Sequence, residues 1–255
     1  MFLEVIGSDG GKNSESCRLV TMKLGDRVLI DAGSASSLRT SELDRIELVL
    51  MTHAHMDHIL ELGFVIDSTA GSRDAPIRVG GSPACLEAIR AHYMNDVVWP
   101  DFSRIRTSHG PAVVYEDLAD LELLELPGGA SALPVPVNHG AGGRGFLFSS
   151  GSGTVVYTGD TGPTFTLWEE AAKRSDIKAV IAEVSFPDSR TDTAIASDHL
   201  TPGLLARELS KFDGLGLPVY AFHLKPWFRQ EIDRDLSREF GETAVLLMRG
   251  DRLVF

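Results

Sequence analysis

The stretch "IELVLMTHAHMDHILELGFVIDST", residues 46–69, decides the fold because it joins a strand, a polar turn and a helix. Its first six residues are nearly all apolar, which is typical of a strand buried on both faces. From Met56 onward, apolar residues recur at helical spacing, which predicts a helix. Three histidines and an aspartate lie between the strand and the apolar part of the helix. Such a dense group of metal-binding side chains at a strand end predicts a metal site.

The spacing within this turn favours two metal ions over one. His53 and His55 are two residues apart, so on extended backbone their side chains point the same way and can bind one ion. A tight turn then projects Asp57 and His58 toward a second position. Four ligands from one loop cannot share a tetrahedral ion that keeps an open position for water. Imidazole ligands favour zinc, and manganese and iron are the alternatives.

Three further ligand candidates follow apolar runs elsewhere in the chain. Asp160 ends "VVYTGD" in a Gly-flanked turn and is the candidate bridge between two ions. His139 follows "PVPVN" and His223 follows "VYAF", so both lie at predicted strand ends. A lone histidine at a strand end is more often structural than a ligand. The motif at His53–His58 raises the weight of all three, because a dinuclear site needs such partners.

The remaining pattern predicts two sheets face to face with helices outside, in one domain covering residues 1–255. Short β-branched runs dominate the first fifty residues, and strands alternate with helices after Asp160. Two helices have N-cap residues followed by proline, at Ser82 and at Thr201. The last segment, "ETAVLLMRGDRLVF", predicts a hairpin that turns at Gly250-Asp251.

Composition limits the classes of partner. The 255 residues carry 24 Lys+Arg and 36 Asp+Glu, a net charge of −12, which argues against binding large nucleic acids or anionic membranes through a basic face. Two cysteines, Cys17 and Cys85, are too few for a disulfide framework. We see no signal-peptide pattern and no apolar run of about 18 residues, so we expect a cytoplasmic protein.

These motifs resemble those of the metallo-β-lactamase superfamily of dinuclear hydrolases. Its hallmark HxHxDH is matched by "HAHMDH", and "DAG" at Asp31–Gly33 matches its preceding turn. The later histidine, aspartate and histidine positions are matched in order, so the resemblance covers essentially the whole chain. It implies the α/β class and an αββα sandwich of two facing β-sheets with outer helices.

The chain is most similar to the class II 3′,5′-cyclic-nucleotide phosphodiesterases within that superfamily. Three further segments resemble theirs: "EVSFPD" at 183–188, "SDHLTP" at 197–202 and "FHLKP" at 222–226. Met56 stands where the family signature usually has Leu, and Glu61 where it has Gly or Ser. The resemblance implies hydrolysis of cAMP or cGMP to the 5′-nucleotide. Members of that family are often dimers, so it also implies a homodimer. Related tRNA 3′-end endonucleases carry a basic arm that has no counterpart here.

The resemblance also implies a role for each site residue. The first metal would be bound by His53, His55 and His139, the second by Asp57, His58 and His223, and Asp160 would bridge the two. A hydroxide held between the ions would be the nucleophile. Asp57 thus counts with His199 and Glu183 among the catalytic residues.

The leaving oxygen needs a proton or a hydrogen-bond donor. His199 is the candidate, and Glu183 would orient it and raise its pKa. Asp31 would support the His53 loop, and Lys225 either contacts the phosphate or is solvated. Candidates for an apolar wall around the base are Phe165, Trp168, Phe186, Trp227 and Phe228.

Two rival functions remain open. One is another hydrolase of this fold: a tRNA-end endonuclease, a different phosphodiesterase, or a lactonase- or lactamase-like enzyme. The other is a cyclic-nucleotide-binding module without turnover. Fold analogy alone does not decide between them.

Overall fold

The structure is a computed structural model that describes residues 1–140 and 142–255. Its strands are β1 (Phe2–Gly7), β2 (Thr21–Leu24), β3 (Val28–Ile30), β4 (Leu48–Leu50), β5 (Ile77–Gly81), β6 (Arg106–Thr107), β7 (Gly110–Pro111), β8 (Val113–Asp117), β9 (Leu124–Glu125), β10 (Ser131–Pro136), β11 (Arg144–Ser150), β12 (Gly153–Tyr157), β13 (Ile177–Glu183), β14 (Val219–Phe222), β15 (Ala244–Leu246) and β16 (Arg252–Val254). Its α-helices are α1 (Thr40–Leu43), α2 (Met56–Ile59), α3 (Leu62–Thr69), α4 (Pro83–His92), α5 (Thr166–Ala172), α6 (Thr191–Ala196), α7 (Pro202–Leu209) and α8 (Arg229–Phe240).

Most strands form two mixed sheets of similar design. The order in the first sheet is β16-β1-β2-β3-β4-β5-β8, and in the second it is β15-β14-β13-β12-β11-β10-β9. Strands β3, β4, β5 and β8 are parallel in the first sheet, and β12 to β15 are parallel in the second. Each sheet therefore has a parallel half whose carboxyl ends can present polar side chains at one edge.

The two sheets pack face to face. Tyr157 and Phe222 of the second sheet are buried in one cluster with Val5, Ile30 and Leu50 of the first. A second cluster packs α3 and α4 on the outside of the first sheet, and a third packs α5, α7 and α8 on the outside of the second. This architecture confirms the predicted αββα sandwich. The prediction of one domain over residues 1–255 stays a prediction.

The predicted C-terminal hairpin is wrong. Strand β15 pairs in parallel with β14 in the second sheet, whereas β16 pairs antiparallel with β1 in the first. Without these two strands, β1 and β14 would be edge strands with unpaired backbone groups, and each of them pairs with one of the two. A turn signal such as Gly250-Asp251 does not specify which edge pairs with the strands beside it. The last segment therefore crosses from one sheet to the other.

The two predicted helix starts are confirmed. The Ser82 hydroxyl accepts from the Cys85 N–H at 3.2 Å, and the Thr201 hydroxyl accepts from the Leu204 N–H at 3.2 Å. Pro83 and Pro202 occupy the first turn of their helices. Within residues 1–140 and 142–255, we find no helix with the length and apolar character needed to span a bilayer.

Candidate metal centre

The structure brings all seven predicted ligands together at one edge of the sandwich. Ligand atoms of His53, His55 and His139 lie within 4.8 Å of one another, and so do those of Asp57, His58 and His223. These groups match the two predicted ligand sets. They come from the β4–α2 turn and helix α2, from the segments after β10 and β12, and from the residue after β14. His55 is exposed, so the centre opens to solvent beside it.

Asp160 lies between the two sets. Its Oδ2 is 3.2 Å from His58 Nε2 and 3.1 Å from His223 Nε2. The same oxygen is 3.9 Å from the Nε2 atoms of His53 and His139. One buried carboxylate thus contacts or approaches imidazoles of both sets, which is the position required of a bridge.

Most of the histidines are oriented through Nδ1. His58 Nδ1 lies 2.7 Å from Asp31 Oδ2, and His139 Nδ1 donates to the Asp198 carbonyl at 2.8 Å. Hydroxyls lie against the other two, Thr52 at 3.0 Å from His53 and Ser185 at 2.8 Å from His223. A partner on one ring nitrogen leaves the other available to a metal, as in most protein metal sites.

His55 is the exception, because its Nδ1 faces the centre, 3.1 Å from His139 Nε2. Two nitrogens on one tetrahedral zinc are about 3.3 Å apart, given Zn–N bonds of about 2.0–2.1 Å. This pair of rings therefore already has the separation that a shared ion imposes.

Three residues of the site adopt a left-handed backbone conformation. Asp31, Asp198 and His223 have φ values of 57°, 51° and 61°. The left-handed region is uncommon for residues with a Cβ and is tolerated where surrounding contacts require it. Asp31 also accepts from the N–H and the hydroxyl of Thr52, both at 2.8 Å, so it supports the His53 loop as expected and orients His58 as well.

Several polar atoms of the centre fit a bound cation. Among the described residues, His53 Nε2, His58 Nε2 and Asp160 Oδ1 are buried without a hydrogen-bond partner. Buried polar atoms are almost always paired, so three in one cluster need an explanation. Imidazole nitrogen and carboxylate oxygen are ligands for zinc, manganese and iron, and the residues present therefore fit divalent ions.

The charges within the centre shift the pKa values of several ligand candidates. Burial and the nearby His58 lower the pKa of His53 well below its usual value, which keeps its ring neutral. Burial would raise the pKa of Asp160, but the charges of His223 and His58 hold it well below its usual value. Burial opposes charge on His58, yet Asp160 and Asp31 raise its pKa well above the usual value. A metal ion at His58 would therefore compete with a proton for this ring.

His199 and Glu183 form the predicted pair beside the ligands. His199 Nδ1 is 3.0 Å from Glu183 Oε1, and the His199 ring stacks on the His223 ring with centroids 5.2 Å apart. Burial lowers the pKa of His199, but the carboxylate of Glu183 outweighs it and the net pKa is raised. Glu183 is fully buried, and its side chain contacts His199 and Ser185.

The aromatic candidates fall into three groups. Phe186 lies 6.0 Å from the His199 ring and 6.1 Å from Phe228, measured between centroids, so this pair borders the site. Trp168 is buried and donates from Nε1 to Glu208 at 2.7 Å, and its proposed place in a base wall is wrong. Trp227 and Phe165 are exposed, and Lys211 Nζ lies 4.7 Å from the centroid of the Phe165 ring.

The loop after β1 is a part of the site that the sequence reasoning missed. The Gly11 N–H donates to Asp57 Oδ2 at 3.0 Å. A Cβ on Gly10 would lie 2.6 Å from His223 Nε2, closer than real contacts allow. The signal was the Gly-Gly pair separated by two residues from the end of the first strand, since such a pair marks a close backbone approach.

We expect Gly10→Ala to remove the ion of the Asp57–His58–His223 set and to leave the other ion bound. The new methyl group would displace the His223 ring or the loop, while His53, His55 and His139 lie elsewhere. Metal content after dialysis measures this result. Gly71→Ala is the matched control, because a Cβ there meets nothing within 4 Å. Two tightly bound ions in the Gly10 variant would contradict the expected close approach.

The fold and the arrangement of histidines define a metallo-β-lactamase-type protein. A family model described as "Beta-lactamase superfamily domain" matches residues 26–215, and the chain belongs to that family.

Two curated relatives carry the same name, 3′,5′-cyclic-nucleotide phosphodiesterase. The protein from Aliivibrio fischeri is 29% identical over 249 residues, 83% of this chain and 72% of that protein. The protein from Schizosaccharomyces pombe is 24% identical over 242 residues, 82% of this chain and 66% of that protein. These names confirm the resemblance drawn from the sequence motifs. The chain spans about two thirds to three quarters of their lengths.

A crystal structure of unliganded yeast PDE1 has a TM-score of 0.81 to this chain at 18% identity, covering 100% of this chain and 99% of that one. At this identity the likeness concerns the fold. It agrees with the two-sheet sandwich described above.

Proposed function

We propose that this chain, a metal-dependent phosphodiesterase, hydrolyses 3′,5′-cyclic nucleotides to 5′-nucleotides. The observation that carries the proposal is the pair of ligand sets that meet at Asp160 Oδ2, with His199 beside them. The names of the two relatives, both cyclic-nucleotide phosphodiesterases, support the substrate class. Cyclic-nucleotide specificity and the number of ions are parts of this proposal.

The metal ligands, His199 and two aromatic residues would have separate roles in hydrolysis of the phosphodiester. Two divalent ions held by the seven ligands would acidify water and neutralise charge on the phosphate oxygens. His199, held at Nδ1 by Glu183, would present its other nitrogen and donate a proton to the leaving 3′-oxygen. Phe186 and Phe228 would provide an apolar surface for the base. A small cyclic diester reaches the site through the side where His55 is exposed.

Lys225 is the candidate for binding a free phosphate oxygen. It is half-buried, and a Cβ on Gly11 would lie 3.3 Å from its Nζ, so the ammonium group lies beside the backbone that contacts Asp57. Among the described residues, no carboxylate lies within 4.0 Å of that ammonium group. An anionic substrate would therefore provide its counter-charge.

We expect Lys225→Met to lower kcat/KM for an anionic diester by about 10–100-fold, because a hydrogen bond to a charged group contributes about 1.5–3 kcal/mol. Steady-state kinetics and metal content, measured together, test this. Lys173→Met, at the exposed residue that follows α5, is the control. An unchanged kcat/KM with normal metal content would leave Lys225 as a solvated lysine.

The direct test of function uses the metal-free protein reloaded with zinc, manganese or iron. Incubation with cAMP and cGMP, followed by chromatography, should reveal metal-dependent AMP and GMP carrying the 5′-phosphate. Cleavage of bis(p-nitrophenyl) phosphate without any product from either nucleotide would keep the phosphodiesterase and overturn the nucleotide assignment. Nucleotide binding without turnover would favour the non-catalytic module.

Two partner assignments stay predictions of the same proposal. We expect no large nucleic acid to bind, which a precursor-tRNA cleavage assay checks against the endonuclease alternative. We also expect a homodimer, which sedimentation of the metal-loaded protein measures.

A further inference from the structure

Two buried carboxylates, one from each sheet, have matching surroundings. Asp31 follows β3 of the first sheet and contacts His58 directly, and it accepts from the Thr52 hydroxyl at 2.8 Å. Glu183 ends β13 of the second sheet and contacts His199 directly, and it accepts from the Ser185 hydroxyl at 3.0 Å. Each carboxylate thus contacts one imidazole directly and one hydroxyl that leads to a second imidazole.

The second imidazole belongs to a metal-ligand candidate in both cases. Thr52 Oγ1 lies 3.0 Å from His53 Nδ1, and Ser185 Oγ lies 2.8 Å from His223 Nδ1. The two carboxylates, the two hydroxyls and the imidazoles around them are almost fully shielded from water, and His199 is slightly more exposed than the rest. Water is therefore a poor substitute for any of the partners.

A count of protons assigns the direction of these hydrogen bonds. A hydroxyl has one proton and can accept through its lone pairs. The carboxylate is the stronger acceptor because it is charged, so the hydroxyl proton goes to Asp31 or Glu183. The hydroxyl oxygen then accepts from the imidazole, and Nδ1 of His53 and His223 carries the proton.

The consequence lies at the other ring nitrogen. With the proton on Nδ1, Nε2 offers a lone pair to the centre of the site. His223 Nε2 then faces Asp57 Oδ2 at 3.2 Å and Asp160 Oδ2 at 3.1 Å, three electron-pair donors that a bound cation would hold together. If Ser185 instead donated to His223, Nε2 would carry hydrogen and Glu183 Oε2 would lose its only hydrogen bond among the described residues.

We infer that Thr52 and Ser185 are positioning residues that set the tautomers of His53 and His223, each acting for a buried carboxylate. This inference rests on the metal-binding part of the proposed function and not on the substrate. Because His53 and His223 belong to different ligand sets, loss of each hydroxyl should affect a different ion.

The test uses paired variants that remove or retain each hydroxyl. Thr52→Val keeps the shape of the side chain without its hydroxyl, and Thr52→Ser keeps the hydroxyl. Ser185→Ala and Ser185→Thr form the second pair. Ser8→Ala is the matched control, because Ser8 is buried beside His223 but donates to the Leu247 carbonyl at 2.9 Å.

We expect removal of either hydroxyl to weaken one ion by about 10–100-fold, as loss of a ligand's hydrogen-bond partner typically does. Competition with a chelator measures both affinities in each variant. Long-range ¹H–¹⁵N spectra of histidine-labelled, zinc-loaded protein, assigned with His53→Gln and His223→Gln, report the Nδ1–H signals. Thr52→Val should lose the His53 signal, and Ser185→Ala the His223 signal. Thr52→Ser, Ser185→Thr and Ser8→Ala should keep both signals.

Two results would overturn the inference. One is unchanged tautomers and affinities in both hydroxyl-free variants. The other is equal weakening of both ions in every variant, Ser8→Ala included, which would indicate general loss of structure. Neither readout uses a nucleotide, so failure of the substrate proposal would be seen separately, as metal binding with normal tautomers and no nucleotide product.

Discussion

Asp160→Asn should abolish the two-ion site and lower kcat/KM for phosphodiesters by at least about 1,000-fold. Metal ions contribute several kcal/mol of charge stabilisation in the transition state, and about 1.4 kcal/mol corresponds to each factor of ten. The residue's Oδ2 approaches four imidazoles at 3.1–3.9 Å, and no other carboxylate contacts both ligand sets in the part of the chain that the structure describes. Metal content and kinetics on bis(p-nitrophenyl) phosphate measure the effect.

The same variant should not lose its fold. Asparagine has the shape of aspartate, and its amide oxygen can still accept a hydrogen bond from a neighbouring imidazole, so the packing around the site is retained. Added zinc should raise the melting temperature of the wild type through binding to the native state, and raise it much less in the variant. Asp26→Asn, on an exposed turn, is the control. Two tightly bound ions and near-normal activity in Asp160→Asn would remove Asp160 from the bridge position.

Local spacing explains why much of the centre could be predicted from the sequence. His53, His55, Asp57 and His58 lie in one turn, so their mutual positions depend on few dihedral angles. His139, Asp160 and His223 follow strand-like runs, and strands of the two sheets end at the same edge.

Apart from Asp31 and Glu183, the supporting groups could not be predicted, because they depend on contacts between distant segments. Ser185 gains its role only when β13 and β14 bring Glu183 and His223 together, and small polar residues in a sequence carry no such signal. The Asp198 carbonyl reaches His139 across 59 positions. Trp168 failed as a base-wall candidate because Glu208, forty residues away, satisfies its N–H inside the core.

His199→Ala should lower kcat on a cyclic nucleotide by about 100–10,000-fold, the usual contribution of a general acid. The 3′-oxygen of a ribose is a poor leaving group that needs a proton. A nitrophenolate leaves readily without one, so the same variant should lose far less activity on bis(p-nitrophenyl) phosphate. Both ions should stay bound, since the seven proposed ligands are intact. His92→Ala, on the exposed side of α4, is the control.

Glu183→Gln tests the pKa of His199, with metal content measured alongside because Ser185 links Glu183 to His223. The Glu183 carboxylate raises the pKa of His199 although burial opposes it, so the acid form persists to higher pH in the wild type. Activity should fall as pH rises through that pKa, and the fall should move to lower pH in the glutamine variant. Equal losses on both substrates in His199→Ala, accompanied by loss of an ion, would instead make His199 a metal ligand. The ratio of the two losses therefore decides whether this imidazole donates a proton or binds metal.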